Sequence, residues 1–340
     1  SEFSPYSIAY ASVGLGLSTS EVNTYYNLVS QLQTNLKRYN ALGDNFTPLT
    51  IGYSLRRVNS GYFGPAIRVR NRDLNTTRDI GFTSDGQLDT VGLLDFVGTS
   101  SADVVVWYDQ GSNLYHAVTG SNPFGALTPP LIVRSGSIIT IDEKPALHFY
   151  TNGLDGLLNS PALTQTGDPG LTMAARVRHL TISNYQNPIF TSYAGTLSSD
   201  IRNYTLGGGA GGITIGTKGV ATKGNNSSAI NIANSNTIVG FVNLNTLSGS
   251  IFVNNIPGAG LNTGVYIGYN NWASNRNFIG NGEPGRGFFG YMQEVLAYKT
   301  AQTSNALAIG SNITNYYTTS SDADYLAFVS ASAITAPTQS

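Results

Sequence analysis

The sequence contains no cysteine. That excludes disulfides, thiolate chemistry and cysteine-ligated zinc, and leaves His116, His148 and His179 as the only soft metal ligands. These three stand far apart with no His-x-x-x-His spacing, so a histidine metal centre has no support. Charge is scarce too: 11% of residues are charged and the net charge is −1, which leaves no field to gather nucleic acid or an anionic membrane. No apolar run approaches the roughly 18 residues that a membrane helix needs, and the N-terminus lacks a basic stretch followed by an apolar one. No nucleic-acid partner and no membrane insertion are therefore expected. A chain poor in charge and free of cysteine suits work outside the cell. Ser1-Glu2-Phe3 reads as an expression scar or as the raw edge of a longer protein.

What is abundant points to sheet. The chain has 39 Gly and 20 Tyr among many Asn, Ser and Thr, a composition of short strands joined by polar turns, so the fold class reads as all-β. One clear helix is predicted over residues 18–38: Ser18 and Glu21 form a capping box, and Tyr25, Leu28, Val29, Leu32 and Leu36 recur at helical spacing. Tyr6 to Leu17 alternates as a strand does. Farther on, Ala146–Leu158, Leu171–Leu180, Asn187–Gly195 and Ser248–Gly258 are apolar alternations bounded by Gly, Asn or Pro, the pattern of half-buried antiparallel strands.

Between Tyr53 and Gln110 the segments YSLRR, GPAIRVR, DIGF and WYDQ follow in close succession. This run resembles the opening of the β-sandwich in fungal-type arabinofuranosidase B enzymes, an opening that also recurs, without the enzyme, in fibre and appendage proteins of phage-like particles. Phe288 to Tyr298 resembles the closing strand of laminin-G and concanavalin-like sandwiches, and Ser304 to Tyr317 resembles the short helix after it. Together these resemblances cover Pro48 to Tyr317. They imply an antiparallel concanavalin/laminin-G-like (jelly-roll) β-sandwich with short flanking helices, placed at 45–318. Residues 1–44 read as the terminal strand and helix of a preceding repeat or as an N-terminal cap. Residues 319–340 resemble the start of a tail segment that follows such modules in phage tail proteins.

Glycoside hydrolysis needs two carboxylates about 5 to 9.5 Å apart across the scissile bond. The E-x-D-x-E spacing of concanavalin-like glucanases is absent, as is a G-x-S-x-G elbow. The arabinofuranosidase resemblance implies a nucleophile in a cysteine-rich half with a vicinal Cys-Cys, a motif that this chain cannot contain. The remaining candidate carboxylates are Asp109, Asp142, Glu143, Asp155, Glu283 and Glu294. Asp109, inside WYDQ, suits the acceptance of backbone N–H groups at a strand end. Gly207–Gly212 lacks the Lys and helix of a phosphate cradle and reads as a flexible loop. Arg56, Arg57, Arg68, Arg70, Arg72 and Arg78 are followed closely by Asp73, Asp79, Asp85, Asp89 and Asp95, so they read as a polar face of Arg–carboxylate forks.

Sugar binding asks for an aromatic face plus amides or carboxylates on loops. Tyr269, Asn270, Asn271, Trp272 and Asn275, with Glu283 in the NGEPGRG loop, supply that mixture, whereas Trp107 in VVVWYDQ reads as core. The laminin-G-like resemblance brings calcium as the one cofactor to consider, with Asn152, Asp155 and Asp168 as its ligands. N-x-S/T sequons at Asn45, Asn75, Asn203, Asn225, Asn226 and Asn312 are glycosylation candidates. The expectation that follows is a non-catalytic structural and adhesion module of an extracellular or virion fibre or appendage, contacting cell-surface glycans, with no catalytic residues. Two alternatives stand beside it. One is a glycoside hydrolase of arabinofuranosidase or glucanase type using Glu283, Glu294 or Asp109; the other is a filament subunit that uses residues 1–44 between protomers.

Overall fold

The computed structural model describes residues 41–318 apart from 123–124, 151–156, 160–163, 167–169, 181–186, 194–201, 210–211, 218–219, 225–233, 244–247, 258–260, 266–270, 274–275 and 281–286. The N-terminal strand and helix expected before residue 41 and the tail after 318 lie outside the described residues.

Every described strand pairing is antiparallel, and the architecture is the all-β sandwich with short helices that the composition implies. The strand Gly290–Tyr298 is its organising element. On one edge it pairs with Ile51–Ser54, in the register Ile51↔Ala297 to Ser54↔Glu294, and farther along with Leu147–Phe149. On the other edge it pairs with Gly170–His179, which continues into Asn236–Asn243 and then Ser248–Val253. The YSLRR-to-WYDQ region forms a neighbouring meander, in which Ile67–Asn71 lies between Thr77–Ile80 and Ala102–Trp107. Part of the glycine-rich stretch is strand, not loop: Gly207–Gly209 end the strand Arg202–Gly209, which pairs with Gly212–Thr217, Gly209 opposite Gly212.

The central strands are buried on both faces because their side chains alternate between two cores. Met173, Ala175, Val177, Val295 and Ala297 point into the sandwich with Tyr53, Trp107 and Phe149. Ala174, Val239, Leu296 and Tyr298 point the other way, onto the helix Ala306–Thr318 through Ala306, Ile309, Ile313 and Tyr317. That helix falls where the closing resemblance places it. A second helix, Thr90–Val97, was not anticipated from the sequence. Asp89 is its N-cap, accepting from the Gly92 N–H at 2.9 Å, and Gly98 ends it at φ 61°.

Candidate functional site

The carboxylates proposed from sequence separate by burial. Glu294 is fully buried on the closing strand and saturated with donors: Arg56 Nε at 2.7 Å and Nη2 at 3.0 Å, Ser54 Oγ at 2.8 Å and the Tyr317 hydroxyl at 3.2 Å. Asp109 is also fully buried and accepts backbone N–H groups from Gly52 (2.7 Å), Gly111 (2.8 Å) and Tyr115 (2.8 Å), tying two strand ends together. Burial pushes its carboxyl up to about 6, with those three N–H donors pulling against the rise. Neither group can meet a substrate without dismantling its surroundings. Asp155 and Glu283 lie outside the described residues, as do Tyr269, Asn270 and Asn275 and the calcium candidates Asn152, Asp155 and Asp168. Asn271 and Trp272 fall on the strand Asn271–Ala273, which pairs with Thr164–Thr166. Among the described residues no group of three or more His, Asp or Glu is placed to hold a metal.

The arginines find partners, though not always the nearby ones. Arg68 forks onto Asp79 with both contacts at 2.7 Å. Arg70 and Arg72 instead converge on Asp103, which is buried and lies across the meander. Of the sequons, Asn45 and Asn75 are exposed, Asn312 is held by Arg56 Nη1 at 3.0 Å, and Asn203, Asn225 and Asn226 carry no described side chain.

Two carboxylates do share open space. Asp85 and Glu143 line a cavity of about 270 Å³ together with Thr83, Gln87, Thr90 and Lys144, over a wall formed by Leu55, Leu88, Pro145, Tyr316 and Tyr317. Asp85 belongs to a tight turn that closes at Gly86, φ 82°. Its carboxylate accepts from the Thr83 hydroxyl and from Gln87 Nε2 at 2.9 Å. Glu143 enters on a hairpin in which Thr140–Ile141 faces Lys144–Pro145, leaving Asp142 and Glu143 as a two-residue connection. Such a turn requires positive φ at both positions, for which Asn-Gly is the usual choice. Here the values are 50° at Asp142 and 61° at Glu143, an uncommon conformation for Glu and the kind of local strain that collects at functional sites. Asp142 faces away, its carboxylate 2.6 Å from Nη2 of the buried Arg176. Lys144 Nζ lies 3.4 Å from Gln87 Oε1 and 5.2 Å from the centre of the Tyr316 ring.

In the sequence Glu143 is one carboxylate among six candidates, and Asp85 stands among the acids that follow the arginines. The cavity joins the 83–90 turn, the 140–145 hairpin and the end of the last helix, pieces with no common motif. The legible signal was Asp-Glu between two alternating apolar runs, a hairpin turn without glycine.

No protein-family model matches the chain, and no curated protein matches it by sequence. Solved structures do match. A GH54 α-L-arabinofuranosidase soaked with a cyclic sulfate inhibitor shares 18% identity at a TM-score of 0.60, covering 78% of this chain and 62% of that one. An arabinofuranosidase complexed with arabinofuranosyl-α-1,2-xylobiose matches over the same shares, at 18% identity and a TM-score of 0.59. The likeness is one of fold. The chain spans 62% of the length of those structures. This finding corrects the expectation of a non-catalytic fibre module and of a chain that is no enzyme, because the neighbours that share the sandwich are arabinofuranosidases. The missing vicinal cysteines removed one motif, but not the ability of the scaffold to bring carboxylates together elsewhere.

Proposed function

We propose that the chain is a glycoside hydrolase of the arabinofuranosidase type, acting on glycans outside the cell. The observation that carries this reading is that Asp85 and Glu143 both line one cavity of about 270 Å³, on a sandwich that 78% of the chain shares with arabinofuranosidases. Hydrolysis of a glycosidic bond requires one carboxyl to protonate the departing oxygen and a second to attack the anomeric carbon or to activate water. Asp85 suits the second role, since Thr83 and Gln87 fix the direction of its lone pairs. Glu143 makes no hydrogen bond or ion pair among the described residues, so its carboxyl is open to a sugar oxygen, and in this reading it takes the acid role. Gln87, Thr90 and Lys144 offer partners to sugar hydroxyls, and the Tyr316 and Tyr317 side supplies the aromatic wall. Tyr269, Asn270, Asn271, Trp272 and Asn275 are proposed as contacts for further sugar units.

The test is release of 4-nitrophenol from 4-nitrophenyl α-L-arabinofuranoside, the compound soaked into one of the neighbouring structures. Asp85→Asn and Glu143→Gln are each expected to lower kcat by roughly 10²- to 10⁴-fold. If instead Glu283→Gln abolishes release and both cavity variants keep it, the site belongs to the NGEPGRG loop. No release by the parent chain from this or any arabinan ends the reading.

A further inference from the structure

Gln293 does not line the cavity, yet four of the residues that do are hydrogen-bonded to it. It sits fully buried on the closing strand, beside Glu294. Its Nε2 donates to the backbone carbonyls of Ile141 at 3.1 Å and of Lys144 and Pro145 at 3.2 Å. Its own carbonyl accepts from the Leu55 N–H at 3.2 Å and from the Tyr317 hydroxyl at 3.3 Å. Leu55, Lys144, Pro145 and Tyr317 are all wall residues. The three side-chain contacts also fix the amide's orientation, because the reverse one would set its oxygen against three carbonyl oxygens.

The hairpin needs such a support. Its ladder has only two residue pairs, Thr140↔Pro145 and Ile141↔Lys144, and its turn holds two non-glycine residues at positive φ. Ile141 and Lys144 directly flank Asp142-Glu143, so one amide clips both legs of the turn that carries Glu143. The buried Arg176 secures Asp142 as well. The clip has a cost: Gln293 Oε1 is buried and has no hydrogen-bond partner. An apolar residue would avoid that penalty, and would remove the side chain that ties the three carbonyls to the closing strand.

We infer that Gln293 is the positioning residue of the cavity, fixing Glu143 against Asp85 by holding the hairpin and the Leu55–Tyr317 wall to one strand. That Glu143 acts on a sugar rests on the proposed hydrolase reading; that Gln293 orders the wall does not. Gln293→Leu and Gln293→Glu should be compared with the parent by amide hydrogen exchange and by kcat and KM on 4-nitrophenyl α-L-arabinofuranoside. In Gln293→Leu, exchange at residues 139–146 should quicken by roughly ten- to a hundredfold while the 67–71 and 102–107 ladder is unchanged. kcat should fall at least about tenfold with a smaller change in KM, since a displaced carboxyl harms the reacting geometry more than the binding of the sugar. Gln293→Glu should recover part of that loss at acid pH, where a protonated carboxyl again donates to the carbonyls, giving a pH profile displaced from the parent's. Unchanged exchange at 139–146, or exchange that quickens equally throughout the sandwich, overturns the inference; so does an active Gln293→Leu with parental kcat. A parent chain without hydrolysis defeats the sugar reading, and the exchange arm then decides alone whether Gln293 orders the wall.

Discussion

Arg56 and Glu294 form a two-pronged ion pair inside the protein, Nε to Oε2 at 2.7 Å and Nη2 to Oε1 at 3.0 Å, with side-chain exposures of 8% and 0%. The Arg56 guanidinium also lies 4.5 Å from the centre of the Tyr316 ring, so the pair backs one wall of the cavity. Removing one member of such a pair strands the other charge where water cannot reach it. Glu294→Gln is therefore expected to lose roughly 3 kcal/mol of stability in denaturant titration. A variant that unfolds like the parent yet hydrolyses nothing would instead make Glu294 part of the chemistry.

Asp109 makes a related prediction by a different route. Its Oδ1 receives Gly52 and Gly111 N–H, and its Oδ2 receives Tyr115 N–H, so both oxygens must be acceptors. In Asp109→Asn one oxygen becomes an NH₂ group pointed at a backbone donor. The expected loss is about 2 kcal/mol, with kcat per folded molecule unchanged. Loss of hydrolysis in a fully folded Asp109→Asn would contradict this structural role.

Acid should weaken the fold. His179 is fully buried against Phe288 with neither ring nitrogen hydrogen-bonded among the described residues, and burial lowers it from 6.5 to about 4. Burial, helped by Arg134, lowers His148 to about 4 as well. A base lowered in the folded state contributes stability that is complete above 6.5 and is lost as pH falls through about 4. For His179 the contribution is on the order of 3 kcal/mol. Asp109 runs the opposite way: raised from 3.8 to about 6, its contribution is complete below 3.8 and is lost as pH rises through 6. Burial lowers His116 as well; with three histidines against one carboxyl, Tm should drop between pH 6.5 and 4.5, and the drop should be smaller in His179→Leu. A parent Tm that holds steady or rises over that interval would refute this account.

The strands were legible because period-two alternation is a local property: Leu171–Leu180 and the closing strand needed no knowledge of their partners. Trp107 could be assigned to the core for the same reason. The short helix after Asp89 has too few residues for a clear helical period, and its cap is an acid that the sequence equally offers to nearby arginines. Arg70 and Arg72 reach past Asp73 to Asp103, because a strand's neighbours in space are fixed by sheet register rather than by chain distance. The cavity lay deeper still. Asp85 and Glu143 come to line one cavity only after the meander, the hairpin and the last helix have docked, and the residue that ties the hairpin to the wall, Gln293, lies in a strand whose resemblance concerns the fold.

Glu143 sets stability against activity at a single position. Its φ of 61° is costly for a residue with a Cβ and free for glycine, and the type of turn it occupies prefers glycine at that place. Glu143→Gly should therefore raise stability, by about 1 kcal/mol, while removing the carboxyl proposed to protonate the leaving group. Stabilisation with loss of hydrolysis is the pattern of a strained residue retained for chemistry. Denaturant titration and 4-nitrophenyl α-L-arabinofuranoside hydrolysis, run on the same preparation, separate the two effects. A Glu143→Gly chain that is both more stable and fully active would show that the strain at this turn serves nothing in the cavity, and Asp85 would have to work with a different partner.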